Sequence, residues 1–296
     1  MQNKTILVVG GTGLIGKELC ALFISQGHHV KVLSRRTSNP KLNLYQWDPV
    51  IGIIDPEALM NVQVIVNLAG EPVAGKRWTP QQKQKITSSR MTSANLLFSK
   101  RDQLPLLEQY ISASGINAYG FEQGQNVSEV AAYGNDFLAQ VVKKWEESAN
   151  QFSTICTVCK LRIGVVFSKF GGPLEQISLP IKFGIVSALG TGKQNMPWID
   201  SEDLCSVFAH VMNKGLQGEF NTIAGNCTNK ELTSVIAKTL KRPLFFPKVP
   251  AFVLKLILGE MSEIILKGVH ASNQKIADTG FIFNENLNSS LQKNLL

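Results

Sequence analysis

Short apolar runs alternate with amphipathic stretches through the first two thirds of the chain. Ile6 to Val9 is an uninterrupted apolar run, and the apolar residues after it, Leu14, Ile15, Leu19, Leu22 and Phe23, recur at the spacing of one helix face. This pattern predicts a strand followed by a helix over Leu14 to Ser25. The same reading gives strands at Val30 to Leu33, Val64 to Leu68 and Tyr110 to Ala113, helices near Pro80 to Lys100 and Asp136 to Asn150, and a β-branched run from Ile155 to Phe167. Strands that alternate with helices need crossover connections, so the expected fold class is α/β with a doubly wound parallel sheet. After Gly171-Gly172 the pattern loosens around Gly184, Gly190 and Gly192. A helix near Glu202 to Met212 and a strand at Phe220 to Ile223 then return a late strand to the sheet, and helical patterns follow at Lys230 to Leu240 and Pro250 to Leu266. The expected division is a main α/β domain over residues 1–168, its sheet completed by about residues 200–225, and a smaller C-terminal lobe made of residues 169–199 and 226–296.

Between the first strand and the first helix stands Val9-Gly10-Gly11-Thr12-Gly13-Leu14-Ile15-Gly16. A strand, a glycine turn and a helix start in that order form a Rossmann-type dinucleotide site: Gly10 permits the tight turn, Gly13 lets a pyrophosphate approach the backbone, and Gly16 lets helix pack on strand. Gly10, Thr12, Gly13, Leu14, Ile15 and Gly16 are therefore the candidate phosphate-side residues. The second strand ends Leu33-Ser34-Arg35-Arg36 with no carboxylate. An acidic residue there would accept hydrogen bonds from ribose hydroxyls and repel a 2′-phosphate, whereas Ser34, Arg35 and Arg36 offer it a hydroxyl and two guanidiniums. NADP is expected over NAD.

Of the 296 residues, 44% are hydrophobic and 18% charged, a balance that excludes a disordered chain and fits a soluble globular one. Met1 to Thr5 runs straight into the first strand, and the apolar stretch Val249 to Leu266 is interrupted by Lys255, Glu260 and Glu263, so neither a leader nor a membrane span is expected and the cytoplasm is the expected location. The net charge of +8 comes from short groups spread over the chain, such as Arg35-Arg36, Lys76-Arg77, Lys143-Lys144 and Lys241-Arg242. That distribution fits solubility and attraction for an anionic small molecule better than a nucleic-acid partner. Cys156 and Cys159 have the spacing of a metal or redox pair but sit in a strand pattern that points them to opposite faces, and with four histidines in the chain no metal site is expected.

Asn67-Leu68-Ala69-Gly70 and Ser112-Ala113-Ser114-Gly115, each closing an apolar strand, together with the glycine turn, resemble the extended short-chain dehydrogenase/reductase superfamily. Narrower strings are similar to an atypical NAD(P)-dependent epimerase/dehydratase-like family that ends in a small domain of unknown function. They are Gln46-Trp47-Asp48-Pro49, Gly70-Glu71-Pro72-Val73, Lys76-Arg77-Trp78-Thr79, Ser89-Arg90, Leu161-Arg162-Ile163-Gly164-Val165-Val166 and, in the tail, Arg242-Pro243, Val249-Pro250-Ala251, Leu258-Gly259-Glu260-Met261 and Thr279-Gly280-Phe281. The resemblance implies a nucleotide-sugar-epimerase-like fold, Asp48 near the adenine, and Leu68, Ala69 and Gly70 behind the cofactor. It also implies a homodimer through two helices of the nucleotide-binding domain as one option.

Superfamily enzymes transfer protons with a Tyr-x-x-x-Lys pair on one helix face. Four residues after Tyr45, Tyr110, Tyr119 and Tyr133 come Pro49, Ser114, Gln123 and Phe137, so no such pair exists. Counting back from Trp145-Glu146 places Phe137 and Val141 where the pair would stand. Ser114 matches the superfamily serine that polarises the reacting oxygen, although a serine at a strand end is also commonly satisfied by backbone. Tyr119 is the candidate substitute acid, ahead of Tyr133. The set Glu71, Arg77, Trp78 and Arg90 follows the strand ending at Asn67 and is the candidate substrate wall: Glu71 as a base or as an arginine's ion-pair partner, Arg77 as a clamp on a carboxylate or phosphate, Trp78 as a stacking ring. Asp200 and Asp203 are expected to cap a helix starting near Ser201. Two functions stay open: an NADP-dependent oxidoreductase or epimerase-like enzyme on a small polar substrate, anionic or a nucleotide sugar, and a non-catalytic NADP-binding regulatory or interaction protein.

Overall fold

The computed structural model describes residues 3–35, 37–121, 126–184, 187–243 and 248–296. Ile6, Leu7, Val8 and Val9 are all fully buried, because strand β1 (Thr5–Val9) lies at the middle of a sheet covered on both faces. The other strands of that sheet are β2 (His29–Ser34), β3 (Leu44–Asp48), β4 (Ile53–Ile54), β5 (Val64–Asn67), β6 (Gln109–Gly115), β7 (Thr157–Ile163) and, later in the chain, Gly218–Thr222. A second sheet is built from β8 (Val165–Phe167), β9 (Asn195–Asp200) and β11 (Gly225–Thr228), so the late strand of the first sheet is β10. The large sheet has the order β10-β7-β6-β5-β1-β2-β3-β4, parallel at every pairing except β3 with β4.

Alternation along β1 assigns its two faces. Ile6 and Val8 join Leu19 and Phe23 of α1 (Leu14–Ser25) and Leu204 and Phe208 of a helix over Ser201–Lys214. Leu7 and Val9 join Leu97 of α2 (Pro80–Ser99) and Phe152, which follows α3 (Phe137–Asn150). Cys159 lies in the first of these cores and Cys156 packs against the second, on opposite faces as their spacing predicts.

The run from Ile155 to Phe167 is not one strand. It breaks at Gly164, where a Cβ would lie 2.6 Å from the Pro197 carbonyl oxygen, and the chain crosses there from the large sheet to the small one. Residues 173–182, in the stretch whose pattern loosens, form helix α4 (Pro173–Lys182) despite Pro180. The Ser201–Lys214 helix is α5, with Asp200 as its N-cap accepting from Glu202 N. The small sheet is covered by α6 (Asn229–Thr239), whose capping box joins Thr228 and Glu231, and it packs Phe167 flat on Trp198 at 5.4 Å. The apolar tail segment breaks at Gly259 into α7 (Ala251–Leu258) and the one-turn α8 (Glu263–Leu266). After α9 (Gln274–Ala277), the last helix α10 (Leu287–Leu295) returns to the buried Asp200, whose carboxylate takes Ser290 Oγ at 2.7 Å, Asn294 Nδ2 at 2.8 Å and Lys293 Nζ at 3.3 Å.

Candidate functional site

From β1 the chain winds one way through β2 and β3, and from β5 it winds the other way through β6, β7 and β10, so the strand order reverses between β1 and β5. Open parallel sheets bind ligands in the crevice beyond such a point. Here it brings two predicted cofactor stretches together: Leu68 N donates to Val9 O at 2.9 Å, and a Cβ on Gly10 would sit 3.3 Å from the Leu68 carbonyl carbon and 3.4 Å from Ala69 N. Gly10 has φ +83°, which a side chain rarely adopts. A Cβ on Gly16 would run into the Gly10 carbonyl oxygen and lie 2.6 Å from Gly11 Cα, so α1 can approach the turn this closely only with glycine at that position.

Helix α1 begins directly beyond the turn. Its N-cap is Gly13, no side chain caps it, and its first turn holds no acid. Free N–H groups at the positive end of the helix dipole favour an anion. Ser34 ends β2 and is buried, with Leu33 in register with Val9, while Arg35 is exposed. Arg36 lies outside the described residues. Asp48 ends β3 half-buried, and its Oδ1 accepts from Val50 N at 2.8 Å.

Beyond β5, Asn67 is fully buried and locks the strand end. Its Nδ2 donates to Tyr110 Oη at 2.8 Å, and its Oδ1 accepts from Ala69 N and Ser93 Oγ, each at 3.1 Å. Tyr110→Phe is expected to cost about 1–3 kcal/mol by stranding the Asn67 amide; a urea midpoint equal to that of the parent would refute the anchor. Arg90 holds the next loop. Its Nη1 donates to the carbonyls of Glu71 at 3.0 Å and Ile86 at 2.8 Å, its guanidinium lies 4.7 Å from the Trp145 ring centre, and burial pulls its pKa down to about 10. The Glu71 carboxylate meets Lys76 at 3.4 Å and Gln82 at 3.3 Å. Trp78 is buried; its indole N–H donates to Val73 O at 2.8 Å and its ring meets Phe137 edge-on at 5.0 Å. Arg77 donates to Leu256 O at 2.5 Å, and Lys83 pairs with Glu260, so this loop and α2 grip the C-terminal lobe.

The C-terminal ends of β6, β7 and β10 carry a third arrangement. Register places Ser114 beside Arg162 and Arg162 beside Asn221, giving one polar row across three strands. Helix α3 supplies the missing charge: Arg162 Nε and Nη2 each donate at 2.8 Å to the two oxygens of Glu146, with the side chains 3% and 1% exposed. The same carboxylate accepts Ser114 Oγ at 2.6 Å and Tyr133 Oη at 2.6 Å. Tyr119 donates to Asn221 Oδ1 at 2.5 Å and accepts from Arg162 Nη1 at 3.0 Å. Burial raises the pKa of the Tyr119 and Tyr133 hydroxyls, and for Tyr133 the Glu146 carboxylate raises it further. Burial opposes charge on Arg162, but Glu146 outweighs it and holds the guanidinium more firmly protonated than usual.

Glu146 and Asn221 are absent from the sequence-derived candidates. A signal was available: Arg162 ends a buried strand and so needs an acid on the covering helix. The face of α3 directed at β6 carries Glu146 and, one turn back, Val142, whose Cγ2 would lie 3.3 Å from a Cβ on Gly115; Leu138 continues that row by spacing. Phe137, Leu138 and Val141 pack with Trp78, Ile86 and Met261. Both rows are apolar where an acid–lysine pair would stand. Among the described residues there is no cluster of three or more potential metal ligands, and no helix is long and apolar enough to cross a membrane.

Comparison with known proteins agrees with this architecture. The chain is 33% identical over 293 residues to the epimerase family protein YfhF of Bacillus subtilis strain 168, covering 94% of this chain and 93% of that one. The human epimerase family protein SDR39U1 (isoform 2), solved with NADPH, superposes with a TM-score of 0.86 at 26% identity over 98% of both chains. A UDP-glucose 4-epimerase of Thermotoga maritima shares the fold at a TM-score of 0.79 and 17% identity, over 97% of this chain and 96% of that one. Residues 249–288 match a domain of unknown function. Residues 6–224 match the model of the NAD-dependent epimerase/dehydratase family, and the chain belongs to that family.

Proposed function

We propose that this protein binds NADP(H) in the crevice between β1 and β5 and works as an epimerase-like oxidoreductase on a small polar substrate. The observation that carries the reading is the uncapped N-terminus of α1, opened by Gly13 and closed behind by Leu68 and Ala69 at the strand reversal. These backbone groups fit a diphosphate because the start of α1 has no side-chain cap and no acid in its first turn, so its N–H groups are open to an anion. The human relative solved with NADPH supports the choice of cofactor. Gly10, Thr12, Gly13, Leu14, Ile15 and Gly16 would hold the phosphates, Ser34 with Arg35 and Arg36 the 2′-phosphate, Asp48 the adenine side, and Leu68, Ala69 and Gly70 the back of the site. The cofactor supplies hydride transfer at its nicotinamide ring.

The chain's own residues position the ligand. An ionised carboxylate only accepts hydrogen bonds, so the Ser114 hydrogen is committed to Glu146, and Ser114 meets a ligand as an acceptor. We assign Ser114 to orienting a substrate hydroxyl through its lone pairs. Tyr119, whose own hydrogen goes to Asn221, fixes Arg162 in place. Trp78 and Arg90 support the loop after β5, the exposed Arg77 is held on the Leu256 carbonyl, and we assign the half-exposed Glu71 of the predicted wall to meeting substrate.

A double Arg35→Ala and Arg36→Ala variant is expected to weaken NADPH binding about tenfold, or about 1.4 kcal/mol, with NADH binding unchanged. Titration calorimetry that shows equal losses for both would reject the 2′-phosphate assignment. The closed Ser114–Glu146–Arg162 network and the apolar Leu138 and Val142 also favour a second reading, a non-catalytic NADP-binding protein. NADPH oxidation measured across sugars, aldehydes and nucleotide sugars separates the two: turnover lost in Ser114→Ala supports the enzyme, whereas tight binding without turnover supports the second.

A further inference from the structure

Helix α7 turns an apolar face outward. Phe252 and Leu256, four residues apart and so on one side of the helix, are 71% and 76% exposed, and the adjacent Ile257 is 62% exposed. The opposite side is satisfied by the protein: Leu254 is buried, and Leu258 packs against the core formed by Trp78, Val141 and Met261. Side chains this exposed form a projecting ridge, and contiguous exposed apolar surface marks a contact.

The charge carried by α7 and its flanking sequence points to its occupant. Residues 241–259 contain Lys241, Arg242, Lys248 and Lys255 and no carboxylate. None of these four is in an ion pair among the described residues. The next acids are neutralised in place, Glu260 by Lys83 and Glu263 by Lys267 at 2.9 Å, and the exposed Arg77 adds a further cation against the Leu256 carbonyl. A second copy of the chain would bring the same cations face to face. A bilayer interface accepts projecting Phe and Leu side chains among its acyl chains while its anionic headgroups meet the lysines.

We propose that α7 is a membrane-surface anchor that lays the C-terminal lobe against anionic lipid, as a peripheral contact and not a span. At eight residues the helix is about 12 Å long, far short of a bilayer core. The test is co-sedimentation of the full chain with vesicles of phosphatidylcholine alone or mixed with phosphatidylglycerol. The parent is expected to bind the anionic vesicles at least about tenfold more tightly than the neutral ones, since the anionic headgroups attract lysines and arginines held near their surface. Phe252→Ser with Leu256→Ser, and separately Arg242→Glu with Lys255→Glu, should each lose about tenfold or more with an unchanged melting temperature, because the four side chains are exposed. Should the serine pair fail to fold, the charge pair decides. The proposal is overturned if the parent stays in the supernatant with anionic vesicles, if a folded variant binds like the parent, or if lipid-free sedimentation shows a dimer that the serine pair converts to monomer.

Discussion

Arg162→Met is expected to lower unfolding free energy by about 3–5 kcal/mol, the cost of leaving a buried carboxylate without its cation. Glu146 is 1% exposed and its remaining partners would be two hydroxyls, from Ser114 and Tyr133, which cannot replace a bidentate guanidinium. In a chain of this size that loss corresponds to a melting temperature lower by about 6–15 °C. Ser114→Ala removes one hydrogen bond to a charged group and should cost about 1.5–3 kcal/mol, so the two substitutions rank in that order. Glu146→Leu combined with Arg162→Met should cost less than the sum of the single changes, because the second substitution removes the charge that the first one strands. Thermal and urea unfolding of the four variants measure this directly. An Arg162→Met protein that melts within about 1 °C of the parent would remove the network from any structural account of the site.

The contrast between what the sequence made legible and what it hid follows one physical rule. β1 and α1 were readable because their signals are local: an apolar run buried on both faces, then apolar residues at helical spacing. Helix α4 shows the limit, since Gly171, Gly172 and Pro180 loosen the pattern of a stretch that tertiary packing of Leu174 and Ile181 nevertheless keeps helical. β3 was missed although Tyr45 and Trp47 point inward with Gln46 outward, because five residues of alternation in a loop-rich segment carry little weight. At the site, the strand, glycine turn and helix start were legible for the same local reason. The Glu146–Arg162 pair was harder to read, because its residues, 16 apart on α3 and β7, meet only once helix docking on the sheet fixes which acid faces the buried arginine. Trp78 and Arg90 are candidates for the substrate wall by their place after β5, and the structure gives each a supporting task as well, with the carbonyls of Val73, Glu71 and Ile86 accepting their hydrogens.

Gly16→Ala and Gly13→Ala are expected to fail in different ways, and the difference isolates the binding turn from the packing it depends on. At Gly16 the new methyl meets the Gly10 carbonyl oxygen, Gly11 Cα at 2.6 Å and the Gly11 carbonyl carbon at 2.8 Å, all backbone, so nothing flexible can move aside. The helix must back away from the turn. The expected cost is about 1–3 kcal/mol of stability from overpacking, together with at least about a hundredfold weaker NADPH binding, or about 2.7 kcal/mol, as the amides lose their alignment. At Gly13 the backbone is extended with φ −76°, and the sole crowding is the Gly10 oxygen at 3.2 Å, so alanine fits with a small adjustment and stability should fall by well under about 1 kcal/mol. Its methyl nevertheless stands at the uncapped helix start where the diphosphate is proposed to lie, and NADPH binding should weaken about tenfold or more. Calorimetry and thermal melts on both variants give four numbers. Unchanged NADPH affinity in a folded Gly13→Ala protein would move the dinucleotide away from this turn, whereas a stable Gly16→Ala protein with parental affinity would show that the close approach of α1 to the turn is not what shapes the site.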